Sequence, residues 1–223
     1  MTLTAIAIRN IGRNRRRSVL SALATAVATM SMVAIAAYIN GMRLDMQANV
    51  RDFATGHVQV RHGDWDRYER LNPLHLRIER PADLVARLEA LPGVAAATAR
   101  LSLPVGVFRG RETSAATVLG VDVARERGFM RLERLLKEGR LPAPGGNEAL
   151  IASGLAASLG VRPGDRLTVL STTMRRSSNA LTFHVVGLVE MPVAAMNSSS
   201  LIVSLDRAMA LARTDGTVTE VVV

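Results

Sequence analysis

The feature of this sequence that most constrains its fold is an apolar segment close to the N-terminus. Residues 19–39 read VLSALATAVATMSMVAIAAYI, and none of these 21 side chains is charged. A helix of this length rises about 31 Å, which matches the hydrocarbon thickness of a lipid bilayer. A helix also satisfies its backbone hydrogen bonds within the segment, as lipid requires. The segment therefore predicts one transmembrane helix.

Charged residues on either side of this segment predict its orientation. Residues 1–18 contain five arginines and no acidic residue, whereas Arg43 on the other side is offset by Asp45. Because positive charge is retained on the cytoplasmic side, we expect the N-terminus in the cytoplasm and the residues after 40 outside. The residues expected to orient the span are Arg13, Arg15, Arg16 and Arg17.

Residues 1–18 also predict a short amphipathic helix on the cytoplasmic surface of the membrane, with lipid as its partner. A set of mostly apolar residues recurs there at helical spacing, while arginines fall on the other faces. This set consists of Leu3, Ile6, Ala7, Asn10 and Ile11.

Two other interpretations of the apolar segment stay open. A secretory signal peptide also combines a basic start with an apolar stretch, and Ala34-Ile35-Ala36 resembles a cleavage site. Arg16-Arg17 loosely resembles a twin-arginine signal. The stretch is longer than the roughly 7–15 apolar residues of a signal peptide, which favours a retained anchor. The third possibility is a helix buried in a soluble core.

The composition of the segment bears on what it contacts. Many of its residues are Ala, Ser or Thr. Small side chains let transmembrane helices approach closely, which favours packing against other membrane helices over a generic alanine-rich anchor.

The formal net charge of +9 does not indicate a nucleic-acid partner. Five of these charges come from residues 1–18, and beyond residue 40 basic and acidic residues alternate, as in Arg125-Glu126-Arg127. Such alternation predicts a solvated surface of mixed charge. Aromatic residues make up only 3%, so stacking surfaces for bases are scarce. The chain contains no cysteine, which excludes disulfides and cysteine-bound metals.

The residues after 50 predict an α+β domain. Alternating or β-rich stretches predict strands at 56–62, 94–109, 113–121, 148–151, 166–170, 182–189, 201–204 and 218–223, with 94–109 and 113–121 paired around Gly110. Helices are expected at 81–91, 129–137, 153–160 and 206–212, the third capped by Ser153 and ended by Gly160. We expect a β/α lobe built from residues 50–100 and 196–223, and a β-rich lobe from 101–195.

The sequence carries no pattern of a catalytic or metal site. It has no P-loop motif and no G-x-S-x-G motif. The four histidines, His57, His62, His75 and His184, do not have metal-ligand spacing. We therefore expect no enzyme activity, no cofactor and no metal.

Several short motifs in a fixed order resemble a known family. They are Ile8-Arg9-Asn10, Arg15-Arg16-Arg17-Ser18, Gly56-His57-Val58-Gln59-Val60, Leu91-Pro92-Gly93-Val94, Gly139-Arg140-Leu141, Glu148-Ala149-Leu150-Ile151, Leu155-Ala156, Leu159-Gly160-Val161, Pro163-Gly164-Asp165 and Val185-Val186-Gly187. With this set, residues 1–223 resemble the N-terminal half of bacterial ABC-transporter permeases of the FtsX/MacB-like type, which include the lipoprotein-releasing permeases.

The resemblance implies a two-lobed periplasmic core domain on the bacterial inner membrane. It also implies a second permease copy or homologue, a separate cytoplasmic ABC ATPase, and lipoproteins, lipids or amphipathic peptides as cargo. In lipoprotein-releasing members a loop of the β-rich lobe captures a periplasmic chaperone, and the corresponding hairpin here is 171–179. Its candidate contact residues are Thr172, Met174, Arg175 and Arg176. The hairpin is short, lacks proline and carries two arginines, which favours a plain solvated hairpin.

Length separates this sequence from the family. The resemblance implies three further spans after the outer domain, so we expect a fragment, a partial gene product or one part of a split permease. A membrane-tethered periplasmic binding or scaffold module without transport activity is the alternative function. A secreted protein is the third, and it predicts a mature N-terminus near Tyr38.

Overall fold

The computed structural model describes residues 13–50, 56–68, 74–175 and 177–223. These residues fall into two compact units that divide between Ala48 and Asn49. The amphipathic helix expected within residues 1–18 lies mostly outside the described residues. Strands and helices are both abundant in the second unit, which confirms the predicted α+β class and the long apolar helix before it.

Helix α1 runs from Arg15 to Val50, so it is longer than the predicted span at both ends. Its 36 residues correspond to a length of about 54 Å. The helix contains no proline, and it continues through Asn40 and its single glycine, Gly41, because an isolated glycine is tolerated within a helix. Its best window has a mean hydropathy of 2.0, and length and composition make it the one candidate membrane span among the described residues.

The hydroxyl groups of the two threonines within α1 donate to carbonyls of the helix itself. The Thr25 hydroxyl donates to the Ser21 carbonyl at 2.9 Å, and the Thr29 hydroxyl donates to the Thr25 carbonyl at 2.6 Å. These bonds pair the donors of both threonine side chains, which suits a helix solvated by lipid.

A mixed sheet of nine strands forms the centre of the second unit. The strands are β1 Gln59–Arg61, β2 Thr98–Arg109, β3 Glu112–Val121, β4 Leu136–Gly139, β5 Glu148–Ala152, β6 Arg166–Thr172, β7 Ser178–Val189, β8 Ser200–Ser204 and β9 Glu220–Val222. The neighbours run in the order β1-β9-β2-β3-β8-β5-β7-β4, and β6 pairs with both β2 and β7. Strands β2, β3, β8, β5, β7 and β6 therefore close into a ring.

The second unit also contains several short helices. They are α2 Trp65–Tyr68, α3 Pro81–Glu89, α4 Leu132–Leu135, α5 Ser153–Leu159, α6 Ala194–Asn197 and α7 Leu205–Ala212, with a 3₁₀ helix at Arg125–Gly128. Proline at the first turn of α3 starts that helix, as expected. Gly160 ends α5 with φ 64°, which confirms the predicted stop.

The longest hairpin, β2–β3, confirms the pairing predicted from the sequence. Its register runs from Arg100 opposite Val121 to Arg109 opposite Glu112. Gly110 at the tip has φ 59°, a conformation that glycine adopts without strain. Alternate β2 side chains are buried, and these are Leu101, Leu103, Val105 and Val107.

Three apolar clusters hold the unit together. The largest fills the ring and includes Leu103, Ile151, Leu167, Phe183 and Leu201, with residues of α5 and α7. A second cluster lies on the opposite face of β5 and β8 and takes Met130, Leu132 and Leu135 from the segment before β4. A third packs α3 through Val85 against Ala97, Ala99, Val218 and Val221. Successive side chains of β5 and β8 therefore enter different clusters, because neighbouring residues of a strand point to opposite faces of the sheet.

Two expectations about local structure were wrong. The helix predicted at 129–137 ends at Leu135, and Lys137 lies in β4, because the backbone there pairs with the edge of β7. Ser153 does not cap α5: Ala152 occupies the cap position and makes no side-chain capping bond. The Ser153 hydroxyl instead bonds the Asn197 side chain at 3.3 Å. The two-lobe division stays a prediction.

Candidate functional site

The strands at the two ends of the outer unit lie side by side. Strand β1, which begins nine residues after α1 ends, pairs antiparallel with β9, the last strand. Around them, the amide of His57 donates to the Val223 carbonyl at 2.9 Å, and the amide of Val223 donates to the Val58 carbonyl at 2.9 Å. The other edge of β9 pairs with β2. The first strand after the membrane helix is therefore joined to the ring through β9.

Gly56 permits this close arrangement. It has φ 64°, and a Cβ atom at this position would lie 2.1 Å from Val222 Cγ1. A side chain there would have to displace the Val222 side chain, so both the backbone conformation and the contact favour glycine.

Charged residues cross these strands in a row. Arg61 on β1 is opposite Glu220 on β9, and Glu220 is in turn opposite Arg100 on β2. Arg61 donates to Glu220 Oε2 from Nε at 3.0 Å and from a terminal nitrogen at 2.7 Å. Its guanidinium also lies 5.2 Å from the centre of the Trp65 ring.

Arg100 continues the row into the interior. It makes a bidentate pair with Glu126, from Nε to Oε1 at 2.7 Å and from a terminal nitrogen to Oε2 at 2.8 Å. The side chains of Arg100 and Glu126 are 1% and 0% exposed. The prediction that Arg125-Glu126-Arg127 lies on a solvated surface is therefore wrong for Glu126. A charge with a buried partner is stable in the interior, and sequence alternation does not reveal that partner.

The approach of β4 to β7 explains the glycines of two of the motifs quoted above, Gly139-Arg140-Leu141 and Val185-Val186-Gly187. Gly139 has φ 89°, and a Cβ there would lie 2.2 Å from the Val186 carbonyl oxygen. A Cβ at Gly187 would lie 2.7 Å from the Glu138 carbonyl oxygen. The end of β4 at Gly139 and the part of β7 at Gly187 thus approach closely. The absence of a side chain at both glycines permits this approach of the two backbones.

Glu148 holds the loop that follows β4. It accepts hydrogen bonds from the Arg140 guanidinium and, at 2.8 Å, from the Ala143 amide. The hydrogen bond from Arg140 is the main cause that lowers the pKa of Glu148 from its ordinary value of 4.5 to about 2, and the Ala143 amide adds to it. The ionised form of Glu148 is therefore part of the folded structure.

This pairing predicts an acid-dependent loss of stability. Because the pKa of Glu148 is depressed in the folded protein, its contribution is present above pH 4.5 and is lost as pH falls toward 2. Glu148→Gln should remove this part of the pH dependence, which thermal unfolding of both proteins across that range measures. Glu190→Gln, which breaks the exposed pair with Lys137, should keep the wild-type dependence. Equal curves for wild type and Glu148→Gln would contradict the prediction.

The structure places the residues predicted to contact a partner on the β6–β7 hairpin. Thr172 ends β6 and is exposed, Met174 is half-buried, and Arg175 is exposed. Arg176 lies outside the described residues. The turn between the strands is closed by the Thr173 amide, which donates to the Ser177 carbonyl at 2.7 Å, and by the two hydroxyls at 2.8 Å. The described residues on the two sides of Arg176 are therefore joined by hydrogen bonds between Thr173 and Ser177.

This hairpin lies against the C-terminal end of α7. The Met174 amide donates to the Ala212 carbonyl at 3.1 Å. The Asn179 side chain donates to the Ala210 and Leu211 carbonyls at 3.1 and 2.9 Å. A cleft of about 370 Å³ opens there, lined by Arg175, Met209, Ala210, Arg213, Asp215 and Gly216. Two arginines against one aspartate make it positively charged.

The remaining predicted residues are surface features. Arg13, Arg15, Arg16 and Arg17 are all exposed, at or just before the start of α1, and their orienting role stays a prediction. Within the described residues no group of three or more histidine, aspartate or glutamate side chains could hold a metal ion.

Comparisons with known proteins bear on these features. The family described as the MacB-like periplasmic core domain matches residues 18–223. No curated protein matches the sequence significantly. The solved periplasmic region of MacB from Actinobacillus actinomycetemcomitans is similar at 18% identity, with a TM-score of 0.52, over 78% of this chain and 76% of that one. The extracellular domain of the noncanonic ABC-type transporter YknZ from Gram-positive bacteria is similar at 15% identity, with a TM-score of 0.48, over 68% and 74%.

Proposed function

This chain belongs to the family with a MacB-like periplasmic core domain, and from that premise we propose that it is the N-terminal part of a permease subunit in an ABC transporter. The family match confirms the resemblance seen in the motifs and makes the chain a permease-type transporter component. Under the proposal, a separate cytoplasmic ATPase supplies the energy, and the cargo is a lipoprotein, a lipid or an amphipathic peptide.

The observation that carries this proposal is the continuity of α1. The helix continues for eleven residues after Ile39 and ends at Val50, only nine residues before β1 begins. A hydrogen-bonded helix transmits a displacement along its axis, whereas a flexible linker absorbs it. The proposal therefore has a movement of the helix in the membrane reach the outer domain through β1, the first strand after it.

The proposed arrangement of partners follows from this role. The ATPase acts from the cytoplasmic side, and lipid surrounds α1. A second copy or a homologue of the chain completes a dimer, and the small side chains along α1 suit packing against its helices. The proposed membrane is the bacterial inner membrane, with the core domain in the periplasm.

We extend the proposal to the β6–β7 hairpin, which offers Thr172, Met174 and Arg175 to a periplasmic partner such as a chaperone. The positive cleft beside Arg175 and Arg213 fits an acidic surface. A plain solvated hairpin remains the alternative. A photo-reactive residue at position 175 should capture the partner in intact cells, and loss of capture on Arg213→Glu would support a charge-based contact.

The predicted orientation can be tested because the chain has no cysteine. A single cysteine in place of the exposed Arg111 should react with a membrane-impermeant maleimide in spheroplasts. Changing Arg13, Arg15, Arg16 and Arg17 to glutamine removes the charges that retain the N-terminus inside, so the labelled fraction should fall several-fold. Arg43→Gln is the matched control and should leave labelling unchanged. Labelling that is equal in all variants would contradict the assignment of the orienting residues.

The transport role predicts genetic dependence on the ATPase. Deleting the gene for the cognate ATPase should reproduce the phenotype of deleting this chain, and the double deletion should be no more severe. A membrane-tethered scaffold makes the opposite prediction, since it works without an ATPase. Independent and additive phenotypes would therefore favour the scaffold function and count against the permease.

A further inference from the structure

The four charged residues described above, which we call the charge row, are Arg61, Glu220, Arg100 and Glu126. They form two ion pairs, Arg61–Glu220 and Arg100–Glu126, and the register of β9 and β2 places Glu220 beside Arg100. Opposite residues of antiparallel strands have side chains on the same face. The two register pairs therefore put Arg61, Glu220 and Arg100 on one face, with Glu126 beyond them. Their charges alternate in sign from one end to the other.

Exposure falls along the charge row. The Arg61 side chain is 25% exposed, Glu220 is 5% exposed, and Arg100 and Glu126 are almost completely buried. Two ion pairs lie in the row, Arg61–Glu220 and Arg100–Glu126, each with a nitrogen–oxygen distance of 2.7 Å, and opposite charges this close attract strongly where water is excluded. If one residue of an ion pair moves away, its partner stays behind as a buried charge without a counter-charge, and this lowers the stability of the folded state. Each ion pair therefore constrains the positions of its two residues, and the pairing of β9 with β2 links one ion pair to the other.

The inner end of the charge row, Glu126, forms hydrogen bonds within the turn at 126–131. Residues at the end of this turn and just after it belong to the second apolar cluster. The carbonyl of Glu126 accepts the amides of Phe129 and Arg131 at 3.1 and 3.2 Å. Arg131 adopts φ 47° immediately before α4. Met130 and the α4 residues Leu132 and Leu135 then enter the cluster below β5 and β8. Glu126 thus holds this turn both by its backbone and by its carboxylate.

We propose that the charge row couples strand β1 to the turn at 126–131, so that a displacement of β1 is passed through β9 and β2 to the second apolar cluster. In this proposal the members of the charge row are positioning residues, which act through the strands and the turn that they hold. The purpose of this coupling, to carry the movement of α1 into the outer domain, rests on the proposed permease function. The coupling itself is a property of the domain.

Amide hydrogen exchange of the full chain in lipid nanodiscs tests the coupling. Arg61→Met removes only the partly exposed end of the row and keeps the length of the side chain. Hydrogen exchange of the Phe129 and Arg131 amides should accelerate about tenfold. The reason is that loss of a charged hydrogen bond lowers the free energy needed to open the coupled turn locally. Amides of the β6–β7 hairpin, which the row does not contact, should keep their rates.

Two further variants complete the test. Arg109→Met removes a pair with Asp165 at 3.0 Å from the opposite end of β2, and it should leave the Phe129 and Arg131 amides unchanged. Glu220→Gln keeps the shape of the central residue and should reproduce the effect of Arg61→Met. Unchanged exchange at Phe129 and Arg131 in Arg61→Met, or equal acceleration of every amide, would overturn the proposal. No ATPase is present in this measurement, so its failure is distinguishable from failure of the transport function.

Discussion

Replacement of Arg100 by methionine should lower the free energy of unfolding of the outer domain by about 3–5 kcal/mol. The substitution leaves the Glu126 carboxylate, which is 0% exposed, without its cationic partner in the interior. A buried charge without a partner has lost its hydration and gains nothing in exchange, which is why removal of one partner costs so much. Chemical denaturation of the full chain in detergent, followed by the fluorescence of Trp65, measures the change.

A double variant separates the cost of the unpaired charge from the value of the pair. Arg100→Met combined with Glu126→Leu replaces both charges by apolar groups, and its stability should return to within about 1 kcal/mol of wild type or exceed it. Arg109→Met, which breaks a pair with side chains 39% and 35% exposed, should cost less than about 1 kcal/mol. If Arg100→Met alone costs no more than Arg109→Met, the burial of the Arg100–Glu126 pair has no energetic consequence and the prediction is wrong.

The second large effect is expected at Gly56. Gly56→Ala should destabilise the outer domain by about 2–5 kcal/mol, the sum of left-handed backbone strain and the overpacking of Val222. The strain arises from φ 64°, and the overpacking from a Cβ only 2.1 Å from Val222 Cγ1. Because this contact lies where β1 meets β9, exchange of the Val223 amide should increase most, as that amide donates to Val58.

Gly110 provides the matched control. Its φ of 59° is close to that of Gly56, but no atom lies within 4 Å of a Cβ built there. Gly110→Ala therefore carries the backbone strain alone, about 1–2 kcal/mol. The difference between the two variants measures the steric part. Equal losses of stability would show that β9 yields to the new methyl group without cost.

The two predictions concern the same region, the β1–β9–β2 strands that join the membrane helix to the ring. One motif quoted from the sequence, Gly56 to Val60, lies in this region, and the structure explains its glycine. Nothing in the sequence marked Arg61, Glu220, Arg100 or Glu126 as partners. Arg61 and Glu220 are 159 positions apart, and Arg100 and Glu126 are 26 apart, so neither pair lies within one element.

Local features were predictable where the backbone and its immediate neighbours decide the conformation. The long apolar helix follows from charge-free composition, because 21 residues without a charge cannot be solvated well by water. The β2–β3 hairpin follows from two β-rich stretches around Gly110, and the end of α5 follows from Gly160. In each case the signal and the structure occupy the same few residues.

Tertiary structure decided the rest. Ser153 has a residue type that favours helix caps, yet its hydroxyl bonds Asn197 from another segment. Lys137 continues a helical pattern in the sequence, yet it lies in strand β4 because the backbone there pairs with the edge of β7. The closure of the ring, the place of β9 beside β1 and the burial of Glu126 all depend on which distant segments meet. The sequence alone determined the membrane helix, the α+β composition and the local turns. Long-range pairing determined the site, because its hydrogen bonds and charge pairs join residues that no local pattern relates.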